Sequence, residues 1–174
     1  TMKNSGERAA AIVQDLLTLA RRGVKISQVV SMNEIVVEYF NSPEHEYLTR
    51  HHPHVQFEVS IDPELLNIMG SRVHLSKTVM NLVSNATEAM PEGGKVVITT
   101  HNCYISKPIK GYDSVREGEY VLLTIEDTGV GIAPKDLPRI FEPFYSKKVM
   151  GRSGTGLGMA VVWGTVKDHD GYID

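Results

Sequence analysis

Cysteine is almost missing from this chain. Of 174 residues only Cys103 is one, so no internal disulfide can form. A chain without a cysteine framework suits a reducing compartment. A basic surplus is missing as well: 18 Lys and Arg stand against 21 Asp and Glu, a formal net charge of −3. Proteins whose main partner is a nucleic-acid backbone carry the opposite balance, which argues against that class. No apolar run approaches the roughly 18 residues that a membrane span needs, and no signal-peptide pattern opens the chain. Internal repeats and low-complexity tracts are lacking too. What remains is 41% hydrophobic and 22% charged, the composition of an ordinary soluble globular protein. Its length suits about one domain with a core of its own. The chain opens on Thr1-Met2 and stops at Gly171-Tyr172-Ile173-Asp174, which reads as a strand, so a piece cut from something larger is expected.

Residues 7–22 read as a helix with Ile12, Leu16 and Leu19 on one face, ended by Arg21, Arg22 and Gly23. Its wide apolar stripe fits a partner helix or its own domain equally well. Residues 35–40 read as helical, and Asn41-Ser42-Pro43 ends them. His51, His52 and His54 read as an exposed loop rather than a metal site, since no second ligand group lies at zinc spacing. Residues 55–61 alternate apolar and polar, as a half-buried strand does, and 65–69 read as a second short strand closed by Gly70. Ser71 is a plausible cap for a helix over 71–90. Val79, Leu82, Val83, Ala86 and Met90 form its apolar face, and Lys77, Asn81, Asn85 and Glu88 form another. Strands are expected at 95–103 and 119–127, with a polar loop around Gly111 and Gly118 between them. Pro134 would open a short helix, residues 141–153 read as irregular and basic, and 156–169 as a last helix.

Four stretches carry chemistry. Asn81 and Asn85 stand four apart on a polar helix face, although asparagine is a poor helix-interior residue. Their amides fit two solvated side chains, or a cleft in which an amide oxygen binds Mg²⁺ that also carries phosphate and water. Asp127-Thr128-Gly129-Val130-Gly131-Ile132 closes a strand; it is an ordinary turn, or a carboxylate accepting from an adenine amine where glycines let the backbone approach. Phe141-Glu142-Pro143-Phe144-Tyr145-Ser146-Lys147-Lys148 is a solvated basic loop, or, with Arg152, a lid over anionic phosphates. Gly154-Thr155-Gly156-Leu157-Gly158 opens the last helix and offers free N–H groups to phosphate. It is neither a P-loop nor a dinucleotide fingerprint.

Taken in order, these stretches resemble the N, G1, F and G2 boxes of the ATP-binding catalytic domain of bacterial sensor histidine kinases, nitrogen-sensor-like or hybrid in type. That domain sits within the wider superfamily of gyrase, chaperone and mismatch-repair ATPases. Residues 55–173 carry the resemblance, and 7–23 resemble the second helix of the dimerisation and phosphoacceptor domain. The resemblance implies an α/β two-layer sandwich: a mixed sheet covered on one face by helices, with a mobile ATP lid. It implies two parts, residues 1–23 left from the dimerisation domain and 24–174 the catalytic domain, C-terminally truncated. Asn85 would ligate Mg²⁺ with Asn81 beside it, and Asp127 would bind adenine in a pocket shaped by Gly129, Gly131 and Ile132. Phe141 and Phe144 would belong to the lid, and Lys147 and Lys148 would meet the phosphates. Gly154, Thr155, Gly156, Leu157 and Gly158 would line the phosphate end. Catalysis would rest on Asn81, Asn85 and Lys148.

The implied activity is transfer of the γ-phosphoryl group of Mg-ATP to a histidine of the dimerisation domain, then to a receiver aspartate. The implied partners are that domain, the response-regulator receiver domain and, in the full kinase, a second copy; nucleic acid is not among them. The implied location is the cytoplasm, with any membrane anchor upstream. Three departures stand out. Glu88 replaces a common basic residue. The phosphoacceptor motif is missing, because His45-Glu46 is followed by Arg50 rather than proline, and His45 is expected in an exposed loop. The later strands are missing too. Two alternatives are an ATP-hydrolysing conformational clamp, whose general-base glutamate would stand where Asn81 does, and a non-catalytic nucleotide-binding module.

Overall fold

The computed structural model describes residues 13, 28–110, 114–146 and 155–174. The expected helix over 7–22 therefore lies outside the described residues, save for Val13.

Three strands form the central sheet. Strands β2 (Val55–Ile61) and β4 (Gly94–Ile105) are parallel, and β7 (Gly118–Asp127) runs antiparallel to β4, in the order β2-β4-β7. Alternation decides which face is covered. Val96, Ile98 and Thr100 are buried, and the register sets Phe57, Val59 and Ile61 beside them on β2 and Ile125 and Leu123 on β7. The opposite face carries Glu58 and Lys95, which form an ion pair across neighbouring strands. This is the mixed sheet, helix-covered on one face, that the family resemblance implies.

Four α-helices lie among the described residues: α1 (Met32–Phe40), α2 (Pro43–His51), α3 (Arg72–Glu88) and α4 (Gly158–Asp168). Helix α3 is central, packed on β4 and β7 beneath and flanked by α1 and α4. Its start is capped by Ser71, whose hydroxyl accepts the N–H of His74 at 3.5 Å. Val79, Val83, Ala86 and Met90 are buried as the helical period requires, while Leu82 is half-buried. Arg72 binds Glu34 and Glu38 and so ties α3 to α1, and those two hydrogen bonds raise its pKa further.

Several expectations are corrected. The strand expected at 65–69 is only β3 (Ile68–Gly70), paired antiparallel with an unforeseen β1 (Gln28–Val30). The preceding backbone is taken up in a turn, with the Leu65 N–H on the Asp62 carbonyl and the Leu66 N–H on Asn102 Oδ1. Ser42-Pro43 does end α1, but it also caps and opens α2, since proline fits the first helical position. His45 is thus no exposed loop residue: it lies on α2 and is 9% exposed. The stretch after β4 holds a two-residue ribbon, β5 (Ile109–Lys110) with β6 (Ser114–Val115). The helix expected from Pro134 is a single 3-10 turn, Leu137–Arg139. Helix α4 starts at Gly158 rather than 156, because Gly156 takes a left-handed φ of 70°. No strand forms over 171–174. Gly171 instead closes α4: Asp170 turns left-handed at φ 53°, and the Gly171 N–H reaches back to the Val166 carbonyl at 2.8 Å.

Candidate functional site

The described parts of the four stretches gather along the edge of α3. On that helix Lys77, Asn81, Asn85 and Glu88 are all half-buried. The Asn81 amide donates to the carbonyl of Gly158 at 3.2 Å, which fixes the start of α4 against the middle of α3. Asn85, one turn later, has no hydrogen-bond partner for its amide among the described residues. Glu88 accepts from the Ser84 hydroxyl at 3.4 Å, so its carboxylate is held along its own helix.

The end of β7 returns to the C-terminus of α3. Asp127 continues the inward series of Val121, Leu123 and Ile125, so its side chain belongs to the helix-covered face. One of its oxygens accepts the Gly129 N–H at 2.9 Å. The Val130 N–H then donates to the Ala89 carbonyl at 3.1 Å. A Cβ on residue 129 would lie 2.5 Å from that carbonyl oxygen, so only glycine fits. At Gly131 nothing lies within 4 Å of an added Cβ, and the requirement is the left-handed φ of 67°. Val130 and Ile132 hold their apolar side chains in the open, 83% and 54% exposed, beside this carboxylate.

The aromatic stretch is anchored at one end. Phe141 packs on Trp163 of α4 with ring centroids 4.9 Å apart. The Tyr145 hydroxyl donates to buried Asp136 at 2.8 Å, and the Arg139 guanidinium stacks 4.3 Å over the Tyr145 ring while binding Glu142. Phe144 is different: it takes a left-handed φ of 66°, is 64% exposed, and donates its N–H to the Gly156 carbonyl at 2.9 Å. That bond joins the aromatic stretch to the glycine loop. Within the loop, Thr155 accepts the Leu157 N–H at 3.2 Å. The Leu157 side chain is fully buried, so it anchors the loop. Lys147, Lys148, Arg152 and Gly154 lie outside the described residues.

Asp136 and Trp163, the partners of this stretch, are not among the residues that the sequence singles out. A signal existed: a phenylalanine in an irregular segment needs a partner, and Trp163 is the single tryptophan of the chain.

Chemically, the edge offers two neutral amides, a glycine-rich helix start and a carboxylate flanked by apolar side chains. No group of three or more His, Cys, Asp or Glu that could hold a metal exists among the described residues. The Asn85 amide is unengaged there, and one neutral oxygen donor fits Mg²⁺ that takes its other ligands from phosphate and water.

Residues 70–174 match the family model described as histidine kinase-, DNA gyrase B- and HSP90-like ATPase. The sensor kinase CckA of Brucella abortus is 32% identical over 175 residues, covering 99% of this chain and 18% of that protein. The sensor histidine kinase ZraS of Salmonella typhi is 28% identical over 172 residues, covering 99% of this chain and 33% of that protein. The chain thus spans a minor part of these relatives. Among solved structures, the catalytic domain of histidine kinase ThkA aligns with TM-score 0.63 at 26% identity, covering 82% of this chain and 81% of that one. Full-length ShkA, solved with AMPPNP, shares the fold with TM-score 0.67 at 22% identity, over 95% of this chain and 32% of that one. The chain belongs to the histidine kinase-, DNA gyrase B- and HSP90-like ATPase family.

Proposed function

We propose that this chain is the catalytic part of a sensor histidine kinase: it binds Mg-ATP along the α3 edge and passes the γ-phosphoryl group to a histidine of the dimerisation domain, from which it moves to a receiver aspartate. The observation that carries this reading is the convergence on α3: Asn81 holds the glycine-rich start of α4, and Gly129 brings the Asp127 strand end under Ala89.

In this reading residues 1–23 belong to the dimerisation domain and 24–174 to the catalytic domain. Asp127 accepts from the adenine amine, with Gly129, Gly131 and Ile132 shaping the pocket. Asn85 holds Mg²⁺, which neutralises phosphate charge. Asn81, Lys148 and the backbone of 154–158 orient the phosphates, with Lys147 beside them, and Phe141 and Phe144 form the base of the lid. Phosphoryl transfer of this kind depends on positioning and charge neutralisation: the bond to the β-phosphate oxygen breaks, the bond to an imidazole nitrogen forms, and ADP leaves. The partners are the dimerisation domain, in a homodimer, and a receiver domain. The setting is the cytoplasm; no helix among the described residues is long and apolar enough to cross a membrane.

The test is calorimetry with ATP and Mg²⁺, followed by γ-labelled ATP with a separate phosphoacceptor domain. Acid-labile label on that domain is expected, and none on this chain, which lacks the acceptor motif. Steady ATP turnover without any acceptor would favour the clamp. Asn81 argues against it, because an amide cannot act as general base.

A further inference from the structure

We propose that His169, at the far end of α4 from the glycine loop, is a positioning residue for the phosphate end of the nucleotide site. Its ring joins two helices. Nδ1 donates to the Thr165 carbonyl at 2.6 Å, one turn back in α4, and Nε2 accepts the N–H of Ser71 at 2.8 Å, at the cap of α3. These partners set the tautomer, since a carbonyl can only accept and an N–H can only donate. The seat is close: a Cβ on Gly70 would lie 2.3 Å from the ring carbon Cδ2 and 2.6 Å from Nε2. Gly70 is thus the surface on which the ring rests. The left-handed Asp170 and the Gly171 N–H on the Val166 carbonyl hold the helix end in that orientation.

The start of α4 is tied to the middle of α3 by the Asn81 amide on the Gly158 carbonyl. The two ties run antiparallel, residue 71 to 169 and residue 81 to 158. At 1.5 Å rise per residue they lie about 15 Å apart along α3 and about 16 Å apart along α4, so both can be met at once without bending either helix. A helix held at two points cannot slide or turn on its neighbour. Freed at His169, α4 stays tied at Gly158 alone and can turn about that tie, which re-aims the backbone of Gly156–Gly158. The adenine end is held separately, by the Val130 N–H on the Ala89 carbonyl at the other end of α3. His169 therefore acts on the phosphate half of the site and leaves the adenine half in place.

This inference rests on the reading that the phosphates lie at the start of α4. The test compares affinities for ATP with Mg²⁺ and for adenosine, by calorimetry, with folding checked by circular dichroism. His169→Ala is expected to weaken ATP about tenfold, the scale of one lost hydrogen bond that leaves its partners unpaired, and to leave adenosine unchanged. His169→Gln, whose amide oxygen reaches the Ser71 N–H, is expected to keep most ATP affinity. His169→Asn, one methylene shorter, is expected not to. Should the alanine variant fail to fold, the Gln and Asn pair alone decides. Equal loss for ATP and adenosine, or ATP affinity matching the parent in both Asn and Gln variants, overturns the proposal. A parent chain that binds adenosine but gains nothing from the phosphates overturns the nucleotide reading itself, and this inference with it.

Discussion

Phe144 and Gly156 meet backbone to backbone: the N–H of one donates to the carbonyl of the other at 2.9 Å, and a Cβ on residue 156 would stand 2.8 Å from the Phe144 Cα. Gly156 also holds a φ of 70°. Gly156→Ala therefore meets both a clash and a strained backbone, and is expected to destabilise the fold by about 1–3 kcal/mol and to weaken ATP binding. Urea denaturation and calorimetry check the two effects. A variant with parental stability and affinity would show that the aromatic stretch and the glycine loop move apart freely.

Asp127→Asn tests the adenine end. An asparagine keeps the shape but presents a weaker acceptor, one that can rotate its NH₂ toward the ligand. ATP and adenosine affinity should both fall, by on the order of 1–3 kcal/mol. This differs from the expectation for His169, where ATP alone suffers. Unchanged adenosine affinity would place the base elsewhere.

His45 makes stability depend on pH. Its ring lies among Tyr39, Phe40 and Phe57, with centroids 5.4, 4.4 and 4.8 Å away. Its Nδ1 is buried with no hydrogen-bond partner. Burial lowers its pKa below the ordinary value of 6.5. Tyr39, pushed up to about 12 by burial and by Glu44, stays protonated throughout. Below about pH 6.5 the unfolded chain takes up a proton that the folded chain refuses, so stability falls as pH drops through that value and levels off once the folded-state pKa is passed. His45→Leu is expected to remove this contribution. Urea titrations of parent and variant at pH 7.5 and 5.5 should show the variant losing less; equal losses would exclude His45 as the source.

How much of this was legible depends on period and distance. Strands β2, β4 and β7 alternate over seven to twelve residues, and α3 repeats its apolar face over four turns with a serine cap. Such patterns survive in the sequence because each residue repeats the same message. Strand β1 has three residues, too few to show a period. Helix α2 buries only His45 among its described side chains, so it has no apolar stripe to read. At the candidate site, asparagines and glycines stood out because their local propensity is poor where they occur. The bond from Tyr145 to Asp136 and that from Ser71 to His169 could not be read. They join ordinary residues that only the fold brings together, the second pair 98 residues apart in the chain.

The parallel pairing of β2 with β4 also bears on the order of assembly. Strands β4 and β7 follow each other with little chain between them, whereas Val55 reaches Gly94 only after β3 and all of α3 have been laid down as the crossover. Closing that long loop is slow and comes with a larger entropy loss. The amide-bearing helix lies within the loop that closes last, so an early folding species holds the Asp127 strand in place before Asn81 and Asn85 are seated. Pulse-labelled hydrogen exchange should then protect the amides shared by β4 and β7 ahead of those shared by β2 and β4. Simultaneous protection would mean that crossover and hairpin form as one nucleus.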